Sequence, residues 1–183
     1  MGRMPDELYE SFKSNLEKVD GKCFRASKDT LAETLTGLFK ELDIKDTCIA
    51  ETPLLKEAGV AEALKNAGIE VFTDHIRLHG ETAKGGISEN QYGIAELGTM
   101  VQFGDEVDAR LVGTMSESYF GVVKGSTIVP LYDDMFELLG NLPELPNFVG
   151  FITGPSRTAD IECVGTVGVH GPIRLTAVVV DDM

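Results

Sequence analysis

The sequence predicts an α/β protein: an open, mixed, mostly parallel sheet flanked by helices. Three features carry this. The first seventy residues alternate amphipathic stripes with short apolar runs, a rhythm that favours right-handed crossovers onto a parallel sheet. Arg174 to Val180 is almost wholly apolar, as a strand buried on both faces must be. Between them, short β-type runs are broken by Gly104-Asp105 and Lys124-Gly125, turns that add antiparallel pieces.

Taken in order, Pro5 to Val19 is helical, with Leu8, Phe12, Leu16 and Val19 on one face, and Gly21 ends it. Cys23-Phe24-Arg25 is a short strand. Ser27 is placed to cap a second helix bearing Leu31, Leu35, Leu38, Phe39 and Leu42. Thr47 to Ala50 is a buried strand. Thr52-Pro53 opens a helix that runs to about Ala67 and closes at Gly68. Ile69 to Phe72 is the next strand. Asp74 to Asn90 reads as a long loop turning at Lys84-Gly85-Gly86.

Strand character returns around Tyr92 and Ile94 and from Met100 to Phe103. Glu106 to Arg110 reads as a solvated turn. Phe120 to Val123 and Ser126 to Val129 are two strands. Pro130 starts a helix with Leu131, Met135, Leu138 and Leu139 on one face, stopped by Gly140. Phe148 to Ile152 reads as a buried strand, followed by Thr153-Gly154-Pro155-Ser156-Arg157-Thr158 and a helix through Glu162.

At 183 residues the chain fits one domain, 1–183, with residues 1–20 as an N-terminal helical appendage. A net charge of -14 disfavours nucleic acid and anionic membranes as partners. It leaves room for a small anion held by one arginine and backbone N–H groups. Three widely spaced cysteines, Cys23, Cys48 and Cys163, indicate reduced thiols in a cytoplasmic protein, and are too few for an in-chain four-thiolate cluster. No apolar run reaches membrane-spanning length. No cofactor is expected: Gly85-Gly86 and Gly98 do not make a dinucleotide fingerprint, and no Walker lysine is present. The oligomeric state is not set by the sequence.

Chemistry concentrates in the C-terminal third. Three hydroxyls and a guanidinium fall within Thr153 to Thr158, after an apolar strand, where ligand sites of α/β proteins commonly lie. One reading is an anion cradle, with Arg157 as a bidentate donor beside Ser156, Thr158 and the Gly154 backbone. The other is a capped helix with Arg157 paired to Asp160 or Glu162. Glu96, between Ala95 and Gly98-Thr99, can serve as general base or carboxylate nucleophile, or as a structural acceptor for turn N–H groups. Arg110 can face the same cleft. His170, between Gly168 and Gly171, can move protons near neutral pH or fix its turn. Asp74, His75, His79 and Glu81 form a metal-like cluster in a glycine-rich segment, read here as a solvated loop, so no metal ligands are expected.

Gly154–Glu162 (GPSRTADIE), followed by Gly168–Pro172 (GVHGP), resembles the C-terminal signature of the LUD-domain family. Ile94–Thr99 (IAELGT) is similar to that family's IAETGT, and Arg110 to Pro130 follows its strand-rich middle section. The sequence departs from the family at Thr114–Tyr119, where members often carry a Leu-Pro-rich turn and a His, and at Leu97, where a Thr is usual. The resemblance implies the three-layer αβα fold of phosphosugar isomerases and coenzyme A transferases (NagB/RpiA/CoA transferase-like). It also implies a role in oxidising L-lactate to pyruvate beside iron–sulfur partner proteins. On that resemblance Glu96 and His170 are the candidate catalytic residues. Thr99, Arg110, Thr153, Gly154, Ser156, Arg157, Thr158 and Gly171 would line a cleft for a small anionic metabolite. The alternative it implies is a stand-alone enzyme acting on an acyl-coenzyme A or a sugar phosphate.

Overall fold

The computed structural model describes residues 4–158, 165–167 and 169–182. Its centre is a six-stranded, all-parallel sheet in the order β1 (Lys22–Ser27), β12 (Arg174–Asp181), β7 (Ser118–Lys124), β4 (Gly85–Asn90), β2 (Asp46–Ile49) and β3 (Glu70–Phe72). β12 lies inside this sheet, as its unbroken apolar run requires. Side chains alternate across the faces. Phe120, Val122, Val178 and Val180 pack under α2 (Leu31–Glu41), α3 (Pro53–Glu57) and α4 (Val60–Asn66). Tyr119, Val123, Ala177 and Val179 face α1 (Asp6–Glu17), α5 (Ile76–His79) and α6 (Val107–Met115). The expected helix-flanked, mostly parallel sheet is therefore what the chain forms.

A second sheet of four strands lies on the α1 side: β8 (Ile128–Val129), β5 (Tyr92–Ile94), β6 (Thr99–Phe103) and β9 (Val149–Ile152). Met100 and Ile128 carry it onto the main core, and α7 (Tyr132–Gly140) covers its outer face through Met135 and Leu139. A two-stranded antiparallel sheet, β10 (Arg157–Thr158) with β11 (Thr166–Val167), follows β9.

The first helix, α1, buries Phe12 and Leu16 completely in the cluster that holds Ala177 and Val179. Arg25 ties its start to the main sheet, bonding Asp181 and Asp6 and lying 4.9 Å from the Tyr9 ring centroid.

Several local expectations are overturned. Gly85-Gly86 is not a turn but the start of the interior strand β4. A Cβ at 85 would meet the Phe39 ring at 2.7 Å, and one at 86 would meet Ser116 Oγ at 2.0 Å. The glycines are there so that α2 and α6 can seat against the strand. Glu106 to Arg110 is not a turn but runs into α6, whose buried face is only Val112 and Gly113, too narrow a stripe to read as amphipathic. The helix expected from Pro53 to Ala67 breaks at Gly59, which takes φ 65°. The helix after Ser27 is entered at Thr30, with the two hydroxyls bonded across the turn at 3.1 Å. Residues 125–127 form a 3-10 turn, leaving only Ile128–Val129 as strand.

β9 was expected to be buried. Among the described strands it is instead the last of its sheet, with Phe151 41% exposed and Phe148, just before it, 38% exposed. The helix expected through Glu162 lies largely outside the described residues, and Arg157 and Thr158 are strand.

Candidate functional site

Four signature residues, Ala95, Gly98, Gly154 and Arg157, meet the C-terminal end of α1 and the residues just past it. The Asn15 side chain donates to the Ala95 carbonyl at 2.9 Å, holding the β5–β6 turn against the helix. Gly98 in that turn has φ 62°, and a Cβ there would lie 2.1 Å from the Leu16 nitrogen. Gly154 has φ 67°, and its Cβ would lie 2.4 Å from the Val19 carbonyl oxygen. Thr99 and Thr153, at the paired ends of β6 and β9, share a hydroxyl–hydroxyl bond of 2.5 Å. Arg157 forms an ion pair with Asp20, just past α1; both side chains are more than half exposed. Ser156 and Thr158 flank it, half-buried.

Glu96 is exposed, and its Oε2 accepts the Tyr132 backbone N–H at 2.9 Å. That N–H is an orphan donor at the start of α7, where a carboxylate also meets the positive end of the helix. Glu96 lines a groove of about 550 Å³ between α1 and the β8–α7 connection, with Glu7, Ser11 and Asn15. Among the described residues lining it there is no cation, and Arg157 is not one of them.

The other expected site residues lie apart. Arg110 sits on α6, its guanidinium 5.4 Å from the Phe148 ring centroid and its aliphatic stem against Gly104. Phe148 and Gly104 mark the far end of β6, so Arg110 is about 17 Å along that strand from Thr99. Its Nε is buried and has no hydrogen-bond partner among the described residues. His170 is exposed in the bend before β12, at the N-terminal edge of the main sheet. Gly171 beside it has φ 63° with open space where a Cβ would go. Of the metal-like cluster, His79 stacks on Phe72 at 3.8 Å and His75 pairs with Asp74 at the surface. Among the described residues no group of three or more His, Cys, Asp or Glu is placed to hold a metal ion.

The fold also builds a crevice that the sequence reading missed. From β2 the chain crosses to β3 on one side, and from β4 to β7 on the other. Ligands of open α/β sheets commonly occupy the gap this leaves at the carboxyl ends of the strands. Here it is a crevice of about 300 Å³ lined by Glu51, Thr52, Ser88, Glu89, Gln91 and Phe103, among others. Glu51 pairs with Lys56 at 3.2 Å and Glu89 with Lys124 at 3.1 Å. Ser88 connects the crevice to a buried polar network. Its Oγ bonds Tyr119 Oη at 2.7 Å and accepts from Gln102 Nε2 at 3.1 Å, while Asn90 donates to Tyr119 Oη at 3.0 Å. Burial holds the Tyr119 phenol above its usual pKa, so it stays a neutral donor and acceptor. The sequence signal that could have found this site is the strand–helix rhythm of the first seventy residues, continued past Phe72.

Cys23 and Cys48 are buried, and burial pushes their thiols up to about 12 and about 11. Cys163 lies outside the described residues. No helix among the described residues is long and apolar enough to cross a membrane.

A parallel sheet between helical layers, with a small mixed sheet on one side, defines the class. A solved structure of it is the DUF162 family protein of Deinococcus radiodurans. Its TM-score to this chain is 0.71 at 18% identity, covering 96% of this chain and 97% of that one. The family profile described as the LUD domain matches residues 9–180, and the chain belongs to that family. Lactate utilization protein C 1 of Bacillus mycoides is 35% identical over 99% of this chain and 82% of its own length. The Escherichia coli protein YkgG is 30% identical over 88% of this chain and 74% of its own length.

Proposed function

We propose that this chain works in the cytoplasm in lactate utilisation. In this reading it takes part in the oxidation of L-lactate to pyruvate as the member that binds a small carboxylate, while iron–sulfur partner proteins carry the electrons. The observation that carries the role is the similarity to lactate utilization protein C along nearly the whole chain. Three cysteines, two of them buried with raised pKa, fit a chain that leaves electron transfer to others.

The carboxylate is assigned to Arg157. Its guanidinium is exposed and has Asp20 as its partner, so a ligand carboxylate can displace Asp20 and form the bidentate pair. Ser156 is its neighbour on the chain and Thr153 stands four residues before it, and their hydroxyls can accept or donate toward the lactate hydroxyl. Glu96, which caps α7, serves in this reading as a positioning residue. His170 remains the nearest candidate in sequence for moving a proton.

The test pairs growth with binding. A strain lacking this gene is complemented with wild type, Arg157→Ala or Asp20→Asn, and L-lactate and pyruvate are titrated into each purified protein. Arg157→Ala abolishes binding and growth on lactate, and Asp20→Asn tightens binding by freeing the guanidinium. Normal growth of the deletion strain on lactate overturns the role. Wild-type affinity in Arg157→Ala overturns the site alone.

The position of the switch-point crevice favours a second reading, a stand-alone enzyme of the coenzyme A transferase or phosphosugar isomerase type. Turnover of an acyl-coenzyme A or sugar phosphate, lost in Glu89→Gln, would establish it. The carboxylates of Glu51, Glu89, Asp105 and Glu106 around that crevice disfavour a phosphate there.

A further inference from the structure

One feature is absorbed by neither site: an aromatic cluster on the outside of the small sheet. Phe136 of α7 stacks on Phe151 of β9, ring centroids 5.9 Å apart and planes 8° apart. Tyr132 lies 4.8 Å from Phe136 and 6.4 Å from Phe151. These three side chains are 42%, 47% and 41% exposed for Tyr132, Phe136 and Phe151, and Leu131 beside them is 51% exposed. Large apolar side chains ordered against one another yet left in water mark an interaction surface. β9 also ends its sheet, so no described strand flanks it.

Charge identifies the occupant. Asp133 and Glu137 alternate with the aromatics along α7, both exposed, and Glu96 sits at the helix start. None of the three is in an ion pair among the described residues. From Gly125 to Ser156 the sequence has no Lys or Arg, while it carries Asp133, Asp134, Glu137 and Glu144. A second copy of this chain would bring those carboxylates face to face, a like-charge contact. An anionic lipid surface is repelled by the same field.

We propose that this patch docks a segment of another protein whose apolar anchor residues are flanked by lysines or arginines. The aromatics supply rigid contact area that loses little conformational freedom on binding. The unpaired carboxylates meet the cations at the rim, which speeds encounter and makes the complex salt-sensitive. The proposal is independent of the carboxylate site at Arg157.

The probes are two labelled amphipathic peptides of equal length, one of leucine and lysine and one of leucine and glutamate, titrated against the full chain by fluorescence anisotropy. The leucine–lysine peptide binds and the leucine–glutamate peptide does not. Phe136→Ser with Phe151→Ser, and separately Asp133→Asn with Glu137→Gln, each weaken binding by about tenfold or more. Glu33→Gln with Glu62→Gln, which removes the same charge from α2 and α4 on the opposite layer, changes it by less than about twofold. Should the aromatic variant fail to fold, the Asp133/Glu137 variant decides. Equal loss in the Glu33/Glu62 control, undiminished binding in the folded patch variants, or no binding of the leucine–lysine peptide at low salt overturns the proposal. So does sedimentation showing a dimer of this chain that the aromatic variant dissociates.

Discussion

Gly98 and Leu16 touch backbone to backbone: a Cβ on residue 98 would stand 2.1 Å from the Leu16 nitrogen. Eighty-odd residues apart in the chain, they meet because the β5–β6 turn closes over the end of α1. Gly154 makes the same kind of approach to Val19. Two glycines of the family signature are thus seats for a helix.

Alanine at either seat meets both a left-handed φ and a backbone clash. Gly98→Ala and Gly154→Ala should each lower stability by about 3 kcal/mol or more, from urea midpoints. Gly171→Ala meets the φ alone, with open space around it, and should lose only about 1 kcal/mol. Equal losses at all three positions would mean that contact with α1 contributes nothing.

Tyr119 stands at the centre of the buried network, bonded to Ser88 and Asn90. Tyr119→Phe keeps the ring and deletes the hydroxyl, leaving those two polar groups short of a partner. The expected loss is about 1–3 kcal/mol in chemical denaturation. A neutral effect would show that water reaches Ser88 from the crevice and replaces the phenol.

Glu96 separates capping from chemistry. Glu96→Ala removes the acceptor of the Tyr132 N–H and should cost about 0.5–2 kcal/mol, with faster hydrogen exchange confined to the first turn of α7. Glu96→Gln keeps an oxygen acceptor and should restore most of that protection. If Glu96→Gln is as stable as wild type yet abolishes growth on lactate, the carboxylate acts in the reaction and not through α7.

The acid limb of stability should depend on Glu117. Its hydrogen bond to Lys84, then that to Arg174, holds its carboxyl below the usual range. A depressed folded pKa means the contribution is present above the unfolded value, about 4.3, and is lost as pH falls through the folded one. Lys84 is raised by the same partner, so its contribution is full below about pH 10 and lost above it. Glu117→Gln should therefore flatten the stability curve at both extremes, measured as urea midpoint against pH.

Legibility varied with how local the cause was. The α1 and α2 stripes, the caps at Thr52-Pro53 and the apolar run of β12 are short-range patterns, and each formed close to where it was expected. Gly85-Gly86 was not readable as strand, because the reason for two glycines is the Phe39 ring and the Ser116 hydroxyl, brought there by distant helices. β9 looked buried by composition, yet its place at the edge of the small sheet depends on which strands pair. Of the candidate site residues, Thr99 and Thr153 lie bonded to each other, while Arg110 lies at the other end of β6.

By itself, then, the sequence determined the α/β class, the interior position of β12 and the family, because apolar periodicity, turn chemistry and a long linear motif are properties of neighbouring residues. Tertiary structure alone decided that β4 runs through the middle of the sheet, that a crevice opens between β2 and β4, and that the signature glycines clasp α1. Those facts depend on strand order and on close approach between segments far apart in the chain, which no local pattern encodes.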